Sequence, residues 1–191
     1  MFVDNDVMAH VEGRPRVGIS RCLLGDEVRY DGGHKRDTIL IATLGSLVEW
    51  VPVCPEVEVG MGTPREPIHL IADAEGVRAG TARVRLLGVE SLTDWTETMT
   101  TFSTMRVRAL IDQDLDGYVL KADSPSCGLE SVRVHHRGSV ETNGRGLFAE
   151  ALATAFPDLP IAEERGLSDR AIRDTFVDRI FEHLRRRLAR P

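Results

Sequence analysis

Residues 120–129 read LKADSPSCGL: the end of an apolar run, a Ser-Pro-Ser turn and a cysteine. Two earlier stretches have the same design, RVGISRCL at 16–23 and WVPVCPE at 50–56, so each of the three cysteines follows a short run rich in Val, Ile or Leu. Such runs, alternating with segments of helical periodicity, read as strands of a parallel sheet. In open α/β folds the carboxyl ends of the strands lie together and carry the ligand site. Cys22, Cys54 and Cys127 are therefore expected to converge on one metal centre.

Working outward, 16–20 is the first strand, and Gly25, Gly32 and Gly33 mark a polar loop after it. Asp37 or Thr38 then caps a helix carrying Ile39, Leu40, Leu44, Leu47 and Val48. The second strand is 50–53, followed by a Pro- and Gly-rich loop, PEVEVGMGTPREP. Residues 68–72, a turn at Glu75-Gly76, 77–79 and 83–87 read as a small antiparallel ribbon. A Thr-rich helix from about Thr93 presents Trp95, Met99, Phe102, Met105 and Leu110 on one face. The third parallel strand is 117–121, and 132–135 with 139–140 form a hairpin. Leu147, Phe148, Ala151, Leu152 and Ala155 make a helix, 160–162 a last short strand. Ser168 caps a long helix with Ile172, Phe176, Ile180, Leu184 and Leu188 at steps of four. The fold class is α/β: one compact domain with a mainly parallel, Rossmann-like sheet, the antiparallel ribbon and the C-terminal helix. Its expected organisation is a flexible arm at 1–14, a cluster-binding domain at 15–165, and a helix at 166–191 packed on that domain.

The chain has 191 residues, 24 Lys plus Arg against 30 Asp plus Glu, and a formal charge of -6. That balance argues against a general nucleic-acid coat. The first residues, MFVDNDVMAH, are acidic and lack a signal-peptide pattern, and no apolar run reaches membrane-spanning length. A cytoplasmic protein is expected, and there three cysteines point to metal binding or thiol chemistry rather than a disulfide framework.

A single cysteine after a strand is usually a small buried hydrophobe. Three out of three is a pattern. None sits in a CxxC pair, so zinc-ribbon and thioredoxin signatures are absent. A 4Fe-4S cluster is normally held by four cysteines, and three would leave one iron open. Zinc with three thiolates and a water is the rival. Backbone N–H groups in turns such as 126–128 favour the cluster slightly, since they can point at its sulfurs.

The segments SRCLLGDEVRYDGGHKRD, VPVCPEVEVGMGTPREP and LKADSPSCGL together resemble the TudS-type thiouracil desulfidase family, over about residues 16–156. The resemblance implies an α/β domain that binds a 4Fe-4S cluster through Cys22, Cys54 and Cys127. It implies removal of sulfur from a thiolated pyrimidine such as 2-thiouracil, with thiolated RNA as the lesser alternative. In such proteins a Glu and a Ser near the cluster assist the reaction, and Glu56 and Ser124 are the matching candidates here. Glu56 would activate the attacking water.

Each candidate has a structural competitor. Glu56 can pair with Arg65, and Ser124 and Ser126 can serve only the turn. Arg29, Tyr30, Asp31, His34 and Lys35 can orient the pyrimidine or simply hold their loop. His135 and His136, adjacent on a strand, should point to opposite faces. Two other functions stay open: a zinc-dependent hydrolase, and a cluster-binding redox sensor or interaction protein. The residues leave the oligomeric state undecided.

Overall fold

The computed structural model describes residues 13–72 and 84–189. Most of the expected N-terminal arm, the Glu75-Gly76 turn and the 77–79 strand lie outside the described residues. Two four-stranded sheets form the scaffold. The first has the order β2 (Glu49–Val53), β1 (Arg16–Ser20), β5 (Gly117–Leu120) and β8 (Ile161–Glu163), all parallel. Its central strand β5 is buried at every position, as expected where helices cover both faces.

The period of two sorts the faces. Val17, Ile19 and Val119 join a core with α1 (Thr38–Leu44) and α5 (Arg170–Leu188). Val53, Tyr118 and Leu120 join another with α3 (Thr96–Ile111) and α4 (Leu147–Ala155). At Gly18 the strands meet so closely that a Cβ would lie 2.1 Å from the Tyr118 ring. Only glycine fits there.

The ribbon expected at 68–87 belongs to a larger, mixed sheet. Its order is β4 (Val84–Gly88), β3 (Ile68–Ala72), β6 (Val132–His136) and β7 (Ser139–Gly144), in which β3 and β6 run parallel and the two outer pairs are hairpin-like and antiparallel. Helix α3 bridges the two sheets, with Met99 against the second sheet's core and Val107 and Leu110 against the first. Its buried face is Met99, Ser103, Val107 and Leu110, whereas Met105 is 68% exposed.

Asp37, not Thr38, caps α1, accepting from Leu40 N at 2.9 Å. Asp169 rather than Ser168 caps α5, accepting from Ala171 N and Ile172 N. Four residues advance a helix about 40° past a full turn, so an i, i+4 row winds around it. Accordingly Phe176, Ile180 and Leu184 are buried with Phe181, while Ile172 and Leu188 at the ends of the row face solvent.

Helix α5 is fixed to the amino edge of the first sheet by a buried carboxylate. Asp116, 0% exposed, accepts from Arg16 N and from Arg187 Nε and Nη2, each at 3.0 Å, with His183 Nδ1 at 3.4 Å. Removing one partner of such a group leaves a buried charge uncompensated. Arg187→Ala should therefore lower unfolding free energy by about 3–5 kcal/mol, measured by urea titration, and an unchanged midpoint would show that the contact is incidental.

Candidate metal centre

Because β2, β1 and β5 are neighbours and parallel, their carboxyl ends open on one edge. Each ends in a different turn that presents a cysteine. After β1 a 3-10 turn, Arg21–Leu23, carries Cys22. After β2, Cys54 is the N-cap of the short helix α2 (Pro55–Glu58). Pro55 suits the first helical position, and Glu58 Oε1 accepts from Cys54 N at 2.9 Å, much as in a capping box. After β5, Ser124 Oγ accepts from Ser126 N (3.2 Å) and Cys127 N (3.1 Å), folding the Ser-Pro-Ser turn. Cys22, Cys54 and Cys127 are all buried and free, and all line one cavity of ≈ 800 Å³.

The thiols sense one another. Burial pushes Cys22 up to about 11, with Cys54 the next cause. Burial likewise raises Cys54, and it raises Cys127 well above the ordinary thiol range, with Glu56, Cys54 and Cys22 adding to the effect. Without metal the three are neutral thiols at pH 7. Among the described residues no three Cys, His, Asp or Glu side chains are grouped tightly enough to hold a single ion. Three thiols lining one cavity, with no fourth cysteine in the chain, are a donor set that fits a 4Fe-4S cluster with one iron left open.

Beside the thiols stands a bonded chain of polar groups. Since Ser124 Oγ already accepts from the turn, its proton is directed outward, to Glu56 Oε1 at 3.3 Å. Arg65 Nη2 grips Glu56 Oε2, and Arg65 Nη1 donates to Val28 O (3.0 Å) and Gly62 O (2.8 Å). Glu56 is thus both of the things its position allowed: a partner of Arg65 and a cavity carboxylate. A second ion pair, Lys121–Glu164, lines the same cavity, with Ala122 N donating to Glu164 Oε2 at 2.6 Å.

Arg29, Tyr30 and Lys35 reach the cavity. The Arg29 guanidinium lies 5.2 Å from the Tyr30 ring centroid, and its buried Nε is ion-paired with Asp31 Oδ1 at 3.5 Å. Asp31 is not in the cavity wall. Its carboxylate accepts from Gly33 N at 3.0 Å, which holds it below the usual range, and so it serves the loop turn. Ser126 is also outside the wall: it is fully buried, and its carbonyl accepts from Phe148 N (3.0 Å) and Ala149 N (3.2 Å) at the start of α4. His34 is exposed and outside the wall too, with Nδ1 accepting from Arg36 N at 3.2 Å.

Ser20, Glu164 and His69 are among the cavity residues that the sequence reading overlooked. Glu164 follows β8, so the short final strand already pointed to it. His69 alternates with the buried Ile68, Leu70 and Ala72, as His135 does with Val134. That alternation gave their face but not what lay opposite.

Residues 17–164 match the 2-thiouracil desulfurase family. The chain belongs to this family. It is also similar to the uncharacterized protein YbbK of Bacillus subtilis (strain 168), 31% identical over 138 residues, covering 72% of this chain and 89% of that protein. Among solved structures it resembles the [4Fe-4S]-dependent thiouracil desulfidase TudS, with TM-score 0.63 and 27% identity over 85% of this chain and 99% of that one. Helix α5 of this desulfurase-family chain lies beyond the matched residues. Among the described residues no helix is long and apolar enough to cross a membrane.

A raised thiol pKa means less thiolate at any pH below it, and the thiolate is the nucleophile. Metal-free protein should therefore react with iodoacetamide more slowly than a small thiol at pH 8, with the Cys22 rate still rising towards pH 11. Mass-spectrometric rates that level off near pH 8.5 would contradict the burial described.

Proposed function

We propose that this chain holds a 4Fe-4S cluster through Cys22, Cys54 and Cys127 and removes sulfur from a thiolated pyrimidine, with 2-thiouracil as the reference substrate. The observation that carries this reading is the convergence of three buried thiols, and no fourth, on one cavity that also contains a fixed carboxylate. Family membership and the likeness to a [4Fe-4S]-dependent desulfidase support it. When bound, the cluster supplies a thiophilic Lewis acid with an open position for the exocyclic sulfur.

The overall change replaces C=S by C=O: water adds at the carbon, its oxygen stays, and sulfide leaves as HS⁻ with one proton released. Glu56 accepts the proton that water loses as it attacks. Arg65 and Ser124 hold one carboxylate oxygen each, so the base is oriented before substrate arrives. Ser124 acts as a positioning residue, because its hydroxyl joins that carboxylate to the backbone of the Cys127 turn. Arg29 and Tyr30 form an edge of the cavity against which a planar ring can rest. The acidic balance of the chain favours a small molecule over RNA, whose binding draws heavily on phosphate contacts.

Anaerobic reconstitution with iron and sulfide should give a brown protein that converts 2-thiouracil to uracil and sulfide. Cys22→Ser should lose both colour and turnover. A protein that stays colourless and takes up one zinc instead would overturn the reading. Glu56→Gln should keep the visible absorbance while kcat falls about 10²–10⁴-fold, the usual contribution of a general base. Full turnover by that variant would remove Glu56 from the reaction.

A further inference from the structure

The cavity has a second wall that the chemistry above does not use. Strands β3 and β6 are parallel neighbours, paired at Leu70–Val134 and Ile71–His135. Their alternation turns Leu70 and Val134 into the core and leaves His69 and His135 on the other face. Both imidazoles line the cavity that contains the three thiols. They stack with ring centroids 4.3 Å apart and planes 3° from parallel.

Neither ring makes a hydrogen bond among the described residues, and both residues are half-buried. His136 Nε2, by contrast, is buried, makes no hydrogen bond and lies 3.6 Å from Glu141 Oε1. Two imidazoles this close resist carrying charge together. Burial and the neighbouring His135 and Arg133 also hold His69 below the usual histidine range, which keeps it neutral near pH 7. A neutral imidazole has one donor and one acceptor nitrogen. With His135 stacked beside it, His69 offers both kinds of group to a single planar ligand.

Resting on the desulfidase reading, we propose that the His69–His135 pair binds the substrate ring, its nitrogens hydrogen-bonding the ring N–H and C=O groups next to the thiocarbonyl carbon. The ligand class is a neutral lactam heterocycle. The pair sets specificity for ring N–H groups, and it acts on binding rather than on the bond-breaking step.

The experiment compares 2-thiouracil with 1,3-dimethyl-2-thiouracil, which lacks ring N–H, on cluster-loaded wild type, His69→Phe and His135→Phe. Phenylalanine keeps a flat ring and removes the nitrogens. Each variant should raise KM for 2-thiouracil about 2–10-fold, the net worth of one hydrogen bond, with kcat retained. Each should also shrink the wild-type penalty for methylation. His69→Gln and His135→Gln, which keep a donor and an acceptor, should restore part of the loss and guard against a packing effect. A KM and methylation penalty equal to wild type, or a fall in kcat with KM unmoved, would overturn the proposal. Calorimetric titration of cluster-free protein with uracil gives a readout independent of turnover and should show the same ranking of variants. Wild type that binds uracil through this pair yet never turns over thiouracil would sink the desulfidase reading and leave the pair standing.

Discussion

The approach of β1 to β5 at Gly18 and Tyr118 governs the site. With no side chain at Gly18, the Tyr118 ring can cover the strand beside it, and β1 can lie between β2 and β5 in parallel register. That placement brings three strand ends to a common edge. Each turn leaving that edge is stabilised by its own bonds: a 3-10 turn at Cys22, a proline-led helix at Cys54, and a serine-bridged turn at Cys127. The thiols meet because the backbone brings them together, while their mutual influence as thiolates would push them apart.

The polar groups around the thiols follow a rule of low-dielectric sites: a buried ion needs a partner with good geometry. Glu56 has Arg65, and Glu164 has Lys121. His69 and His135 are exceptions at the cavity, with ring nitrogens that make no hydrogen bond among the described residues. Paired groups define the shape of the cavity, and unpaired ones are free to meet whatever enters it.

Much of this was legible in the sequence because it depends on local pattern. Three apolar runs each ending near a cysteine gave the parallel strands and the edge, and strand alternation separated His135 from His136. What escaped was pairing across the chain. The sequence does not say that β3 lies beside β6, so the stack of His69 on His135 was invisible even though each residue's face could be inferred. Ser126 and Asp31 were attractive by proximity in sequence, yet one seats α4 and the other closes a loop turn. The apolar residues of α5 recur at steps of four, and winding of the helix carries the ends of that row into solvent.

Helix α5 gives the protein a built-in shield. It closes over Val17 and Ile19, on the face of β1 turned away from α3 and α4, with Phe176, Ile180, Phe181 and Leu184, and it is bolted down at Asp116 on the edge opposite the cysteines. A chain cut before this segment would bare a greasy wall of about four large side chains' worth of contact, each worth roughly 1.5–3 kcal/mol when covered. Such a fragment would clump with its own kind, so solubility and the integrity of the distant thiol edge are tied to one stretch of polypeptide.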